Sequence, residues 1–62
     1  MTNHEKEIIK TLADCDMNVL KTARVMHYHR STIAYHLRSI KKKTGMDPLN
    51  FYDLVRLLDI GA

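Results

Sequence analysis

The 62-residue sequence has one cysteine, one proline, two glycines and no long apolar run. A lone cysteine, Cys15, cannot form an internal disulfide, so the fold is not built on a disulfide framework. No apolar stretch approaches the roughly 18 residues of a membrane span, which excludes a transmembrane helix. The opening residues Met1-Thr2-Asn3-His4-Glu5 have neither a basic leader nor an apolar stretch behind them, so no secretory signal is expected and the expected compartment is reducing cytoplasm. There is no glycine-rich phosphate loop, no pair of carboxylates on one helix face and no evident Cys-His arrangement, and so few residues leave little room for a concave pocket. An enzyme is therefore not expected. His4, Cys15, His27, His29 and His36 lack the CxxC or HxxxH pairing of a closed zinc site, so neither a metal nor another cofactor is expected.

Acid is missing where base is concentrated. Residues 18 to 46 contain no Asp or Glu, yet they hold Lys21, Arg24, Arg30, Arg38, Lys41, Lys42 and Lys43. The flanks are acidic on balance: Glu5, Glu7, Asp14 and Asp16 outnumber Lys6 and Lys10, and Asp47, Asp53 and Asp59 outnumber Arg56. A positive middle between acidic ends implies a polyanion partner, with a solvated basic face as the alternative.

What is present is apolar residue at helical spacing. Hydrophobic residues make up 45% of the chain, enough for a globular domain rather than a disordered one. Thr2 with Glu5 three residues on fits a capping box, starting a helix at Thr2 or Asn3 that ends near Asp14 to Met17. Ile8, Leu12 and Cys15 form its stripe at i, i+4 and i+7, widened by Ile9 and Ala13. Asn18 is a good N-cap for a second helix, Val19 to Met26, whose apolar positions are Val19, Ala23 and Met26. Ala23 in mid-face permits a close helix crossing. The pattern breaks at His27-Tyr28-His29 and resumes with Ile33, Leu37 and Ile40. Three residues suffice for a helix-turn-helix turn, and without Gly there, His27 is the candidate for positive φ. The third helix runs to about Lys43, where three lysines meet the negative end of the dipole and Thr44-Gly45 supplies a left-handed cap. After the connector Asp47-Pro48, Asn50 with Asp53 can cap a last helix, Phe51 to about Asp59. Phe51, Leu54, Val55 and Leu58 are its expected core face, leaving Leu57 and Ile60 outside. The expected fold is all-α: one small four-helix domain over 1–62 with a helix-turn-helix core at about 18–43.

At 100° per residue, the stripe Ile33, Leu37, Ile40 defines the outward side of the third helix. Ser31, Tyr35, Arg38 and Lys42 point out, Thr32 and Ser39 lie at the margins, and Arg30 is in the first turn. Cations, hydroxyls and one aromatic ring suit a helix in a major groove. Arg30, Ser31, Thr32 and Tyr35, near its N-terminus, are the candidate base readers; Arg38, Lys41 and Lys42 are the candidate phosphate contacts. From the second helix, Lys21, Arg24 and the Thr22 hydroxyl are candidates for the DNA backbone. A solvated surface side chain is the alternative for each of these residues.

The stretches Asn18-Val19-Leu20-Lys21-Thr22-Ala23-Arg24, His27-Tyr28-His29-Arg30-Ser31-Thr32-Ile33-Ala34-Tyr35, Leu37-Arg38-Ser39-Ile40 and Thr44-Gly45 resemble the C-terminal helix-turn-helix of PucR and sugar-diacid (CdaR) type transcriptional regulators, a module related to Fis-type domains. The resemblance covers roughly residues 5 to 60. It implies a Fis-like or homeodomain-like fold and a bacterial transcription regulator, with His27 and Tyr28 as turn, His29 and Arg30 as the start of the recognition helix (30–43), and Thr32, Tyr35 and Arg38 as groove contacts; the expected location is cytoplasmic and nucleoid-associated. Ser31 and His36 stand where that pattern often has Asn and Arg. Such regulators usually carry a sensory region before this domain, so the chain is expected to be either a stand-alone DNA-binding protein or a fragment of a larger one.

The expected partner is double-stranded DNA, bound sequence-specifically, and a homodimer is expected from apolar Leu57 and Ile60 outside the core stripe. A helical adaptor using the basic face on an acidic protein, and a non-specific nucleoid-type DNA binder, are the alternatives. RNA ranks lower because the deep major groove of A-form RNA does not admit a helix.

Overall fold

The computed structural model describes residues 1–61, which form four helices: α1 (Asn3–Asp14), α2 (Val19–Val25), α3 (Arg30–Thr44) and α4 (Phe51–Gly61). The all-α expectation holds. α1 begins in the expected capping box. Thr2 Oγ1 accepts the Glu5 N–H at 3.1 Å, and Glu5 Oε1 accepts the Thr2 N–H at 2.9 Å, so each side chain satisfies the other residue's orphan backbone donor. Asn18 caps α2 by accepting the Lys21 N–H at 3.0 Å.

The two turns around α2 both use left-handed backbone without glycine. After α1, Asp16 and Met17 have φ of 55° and 63°, and the Met17 N–H reaches back to the Leu12 carbonyl at 2.8 Å. Met17 then lays its half-buried side chain on the core. After α2, His27 takes φ of 59°, as expected, and the Tyr28 N–H donates to the Ala23 carbonyl at 2.8 Å. That six-to-one bond with His27 left-handed is a Schellman closure, and it reverses the chain sharply enough to set α3 against α2. Gly45, φ 73°, ends α3 and returns its N–H to the Lys41 carbonyl at 2.8 Å.

The core joins Ile8, Ile9 and Leu12 of α1, Ala23 of α2, Ile33, Leu37 and Ile40 of α3, and Leu54 and Leu57 of α4. Buried Cys15 lies at the end of α1. Burial of each large aliphatic side chain contributes about 1.5–3 kcal/mol, the main stabilisation of a domain this small. α1 is the hub: its backbone approaches those of the other three helices, whereas α4 approaches only α1.

α4 corrects part of the expected face: Leu54 is buried and Leu58 packs on the core as expected, but Phe51 and Val55 do not. Leu57 is fully buried, while Phe51 is 62% and Val55 48% exposed. Both stripes fit a 3.6-residue period, and the connector decides between them. Asp53 Oδ2 accepts the Asp47 N–H at 3.0 Å, which turns the Asp53 side of α4 back toward the connector. Phe51 and Val55 lie roughly 160–200° around the helix from Asp53, on the outer side. Asn50 caps the helix as expected, accepting the Asp53 N–H at 3.2 Å.

Candidate nucleic-acid interface

The site is built on the rotation of α3. Ile33, Leu37 and Ile40 are locked in the core, so the opposite side of the helix is fixed in the solvent. Arg30, Ser31, Tyr35, Arg38, Lys41 and Lys42 are exposed, and Thr32 and Ser39 are half-buried at the margins. Tyr35 is 61% exposed, too open for a core residue. With Arg38, Ser39 and Lys42 it lines a shallow surface hollow. The face therefore presents hydroxyl, phenol and cation in that order along the helix.

The start of α3 is left open. His29 is the N-cap, and its side chain makes no capping bond. Its carbonyl takes the Thr32 and Ile33 N–H groups at 3.0 and 3.3 Å, while the N–H groups of Arg30 and Ser31 have no partner among the described residues. Free N–H groups at the positive end of a helix dipole are suited to an anion.

α2 adds Lys21 and Arg24, both exposed. Thr22 does not join them. It is fully buried, and its hydroxyl donates to the Asn18 carbonyl at 2.7 Å, so its expected contact with the DNA backbone is corrected: Thr22 is a structural residue of α2.

The basic middle is partly neutralised by the acidic flanks. Lys43 Nζ bonds Glu5 Oε2 at 3.2 Å, and Lys41 Nζ lies 3.7 Å from Asp47 Oδ2. Glu5 is almost wholly buried, and the Thr2 N–H that it accepts, with Lys43 beside it, holds its carboxyl below the usual value despite the opposing effect of burial. Lys21, Arg24, Arg30, Arg38 and Lys42 enter no ion pair among the described residues. They are free to meet an external anion, and Lys41, held only by its long and solvent-exposed contact with Asp47, can be released to join them.

Sequence reasoning missed what stands behind Tyr35. Its ring meets His36 edge to face at a centroid distance of 5.5 Å, His36 meets His4 at 5.2 Å, and His4 meets Tyr28 at 5.7 Å. Tyr28 Oη and His4 Nε2 lie 3.5 Å apart. The adjacency of Tyr35 and His36 is local, but their link to α1 depends on tertiary packing that no spacing in the chain announces.

Two helices set against each other, a four-residue connection in place of the expected three, and an exposed basic face on the second helix define a helix-turn-helix. The chain belongs to the family of the PucR C-terminal helix-turn-helix domain, which it matches over residues 6–58. It is accordingly a helix-turn-helix module of the DNA-binding, transcription-regulating kind, a family that is not typically enzymatic. No curated protein and no solved structure matches the chain. No described helix is long and apolar enough to cross a membrane.

Proposed function

We propose that the chain binds double-stranded DNA sequence-specifically, with α3 in the major groove, as a bacterial transcription regulator or the DNA-binding domain of one. The observation that carries this reading is the outward face of α3: a hydroxyl, an aromatic ring and two cations held in fixed rotation by three core residues, beside an uncapped helix start. Arg30, Ser31, Thr32 and Tyr35 read base edges from the N-terminal half. Arg38, Lys41 and Lys42 meet phosphate along the rest of the helix, Lys21 and Arg24 meet it from α2, and His29 with the open N–H groups of α3 takes a phosphate at the helix start. A cytoplasmic, nucleoid-associated location belongs to the same reading.

A homodimer over an inverted repeat is part of the proposal. Of its two expected residues Leu57 is buried and Ile60 stays exposed; Phe51 and Val55 join Ile60 on α4, where Phe51, Val55 and Ile60 are 62%, 48% and 62% exposed. The domain measures 25 × 20 × 20 Å, so two copies joined side by side can span the roughly 34 Å between successive half-sites.

Selection of bound fragments from random duplex DNA tests the reading. Recovery of a defined motif with dyad symmetry is the expected result. Binding without a motif points to a nucleoid-type binder, and no binding at low salt points to the adaptor on an acidic protein.

A further inference from the structure

The first turn of α1 touches α3 at two places. Glu5 bonds Lys43 at the C-terminal end of α3, and His4, next to Glu5, stacks edge-on with His36 in the middle of it. His36 in turn lies edge-on to Tyr35, the one aromatic ring that the exposed face of α3 presents. Tyr28 closes the group from the α2–α3 turn through His4. The four rings come from three parts of the chain, and the capping box of Thr2 and Glu5 fixes the turn on which His4 sits.

A phenol that is 61% exposed on a helix surface has several rotamers open to it, and ordering one of them on binding costs free energy. A ring packed edge to face against it removes some of that freedom in advance. His36 is half-buried and backed by His4, so it supplies a fixed wall, whereas a solvated neighbour would not. From this geometry we infer that His36 is a positioning residue. It holds the Tyr35 ring in its DNA-reading orientation, with His4 bracing it from α1, and it makes no DNA contact itself. The inference rests on the proposed reading of DNA by Tyr35, and its test separates the two.

The test uses the full chain as wild type, His36→Ala and His36→Phe. Three quantities are measured: affinity for a duplex selected from a random pool, affinity for an unselected duplex, and the NMR signals of the Tyr35 ring in the free protein. His36→Ala is expected to move and average the Tyr35 ring signals. It is also expected to lower affinity for the selected duplex about tenfold, near the low end for a lost base contact, with little change on the unselected duplex. His36→Phe keeps an edge-to-face ring and restores most of both. Tyr35 signals indifferent to His36→Ala overturn the inference whatever the DNA results. So do equal losses on both duplexes with a lowered melting temperature, the mark of a purely structural residue. A wild type that binds no duplex defeats the DNA reading itself, and with it this role for His36, even where the ring signals respond.

Discussion

Glu5 and Lys43, thirty-eight residues apart, join the first turn of α1 to the last turn of α3 through a 3.2 Å bond. The same carboxylate closes the capping box with Thr2. One buried acid thus starts one helix and anchors the end of another, and it removes Lys43 from the cations available to a partner.

This arrangement makes the domain acid-sensitive. The folded-state pKa of Glu5 is lowered from its ordinary 4.5 by the Thr2 N–H and Lys43, so its stabilisation is complete above about pH 4.5 and is lost as pH falls through the lowered folded value. Melting temperature followed from pH 7 to pH 2 should show a decline in that window. Glu5→Gln, which keeps an oxygen for the Thr2 N–H, should be less stable at pH 7 and should flatten this part of the decline. An unchanged acid profile in Glu5→Gln would assign the effect to other carboxylates.

The left-handed positions yield a pair of opposite effects. A non-glycine residue in this region costs about 1–2 kcal/mol, partly offset by the larger unfolded-state entropy of glycine. His27→Gly should therefore stabilise the domain by about 0.5–1 kcal/mol, since φ at His27 is 59°. Gly45→Ala should destabilise it by about 1 kcal/mol. Space is not the reason, because an added Cβ at Gly45 meets nothing within 4 Å; the backbone conformation alone is. Urea unfolding of the two variants checks both signs.

On α4, burial separates two similar aliphatic residues. Leu57→Ala removes a fully buried side chain and should cost about 2–4 kcal/mol, a large part of the stability of a domain this size. Val55→Ala, at a half-exposed position, should cost about 0.5 kcal/mol or less. Comparable losses would return the core to the other stripe of α4.

The fate of each lysine predicts the salt response of DNA binding. The five cations assigned to phosphate, Lys21, Arg24, Arg38, Lys41 and Lys42, give a log–log salt slope of roughly −4 to −5, at about −0.9 for each phosphate neutralised. Arg38→Ala should reduce the magnitude of the slope by about one, whereas Lys43→Ala should leave it nearly unchanged, because Glu5 holds that charge. Titrations between 50 and 200 mM salt measure both.

Much of the fold was readable from local chemistry. The Thr2–Glu5 box, the Asn18 cap, the left-handed His27 and Gly45, and the stripes of α1 and α3 each depend on residues a few positions apart, and each stands as expected. Two kinds of feature were not readable. The left-handed pair Asp16 and Met17 has only Asp16 as a residue that favours positive φ; Met17 carries no such signal and is held there by the bond to Leu12 and its packing on the core. Choices between equally periodic faces, or between two roles for one side chain, are made by contacts that spacing alone does not select: Asp47 turns α4 and the Asn18 carbonyl takes the Thr22 hydroxyl, both from nearby, and Glu5 takes Lys43 from thirty-eight residues away. The exposed face of α3 was legible because the three residues opposite it are large and apolar; the rings behind Tyr35 were not, because α1 supplies them.

The central claim is that α3 reads sequence through its N-terminal half and anchors through the rest. The measurement that tests it most directly is the affinity of Tyr35→Ala and Lys42→Ala for a selected duplex and for random-sequence duplex. Tyr35→Ala is expected to lose about 1–3 kcal/mol more on the selected duplex than on the random one, with its melting temperature nearly unchanged. Lys42→Ala is expected to weaken both alike. Equal losses for Tyr35→Ala on the two DNAs would contradict the account and place the reading surface elsewhere on the domain.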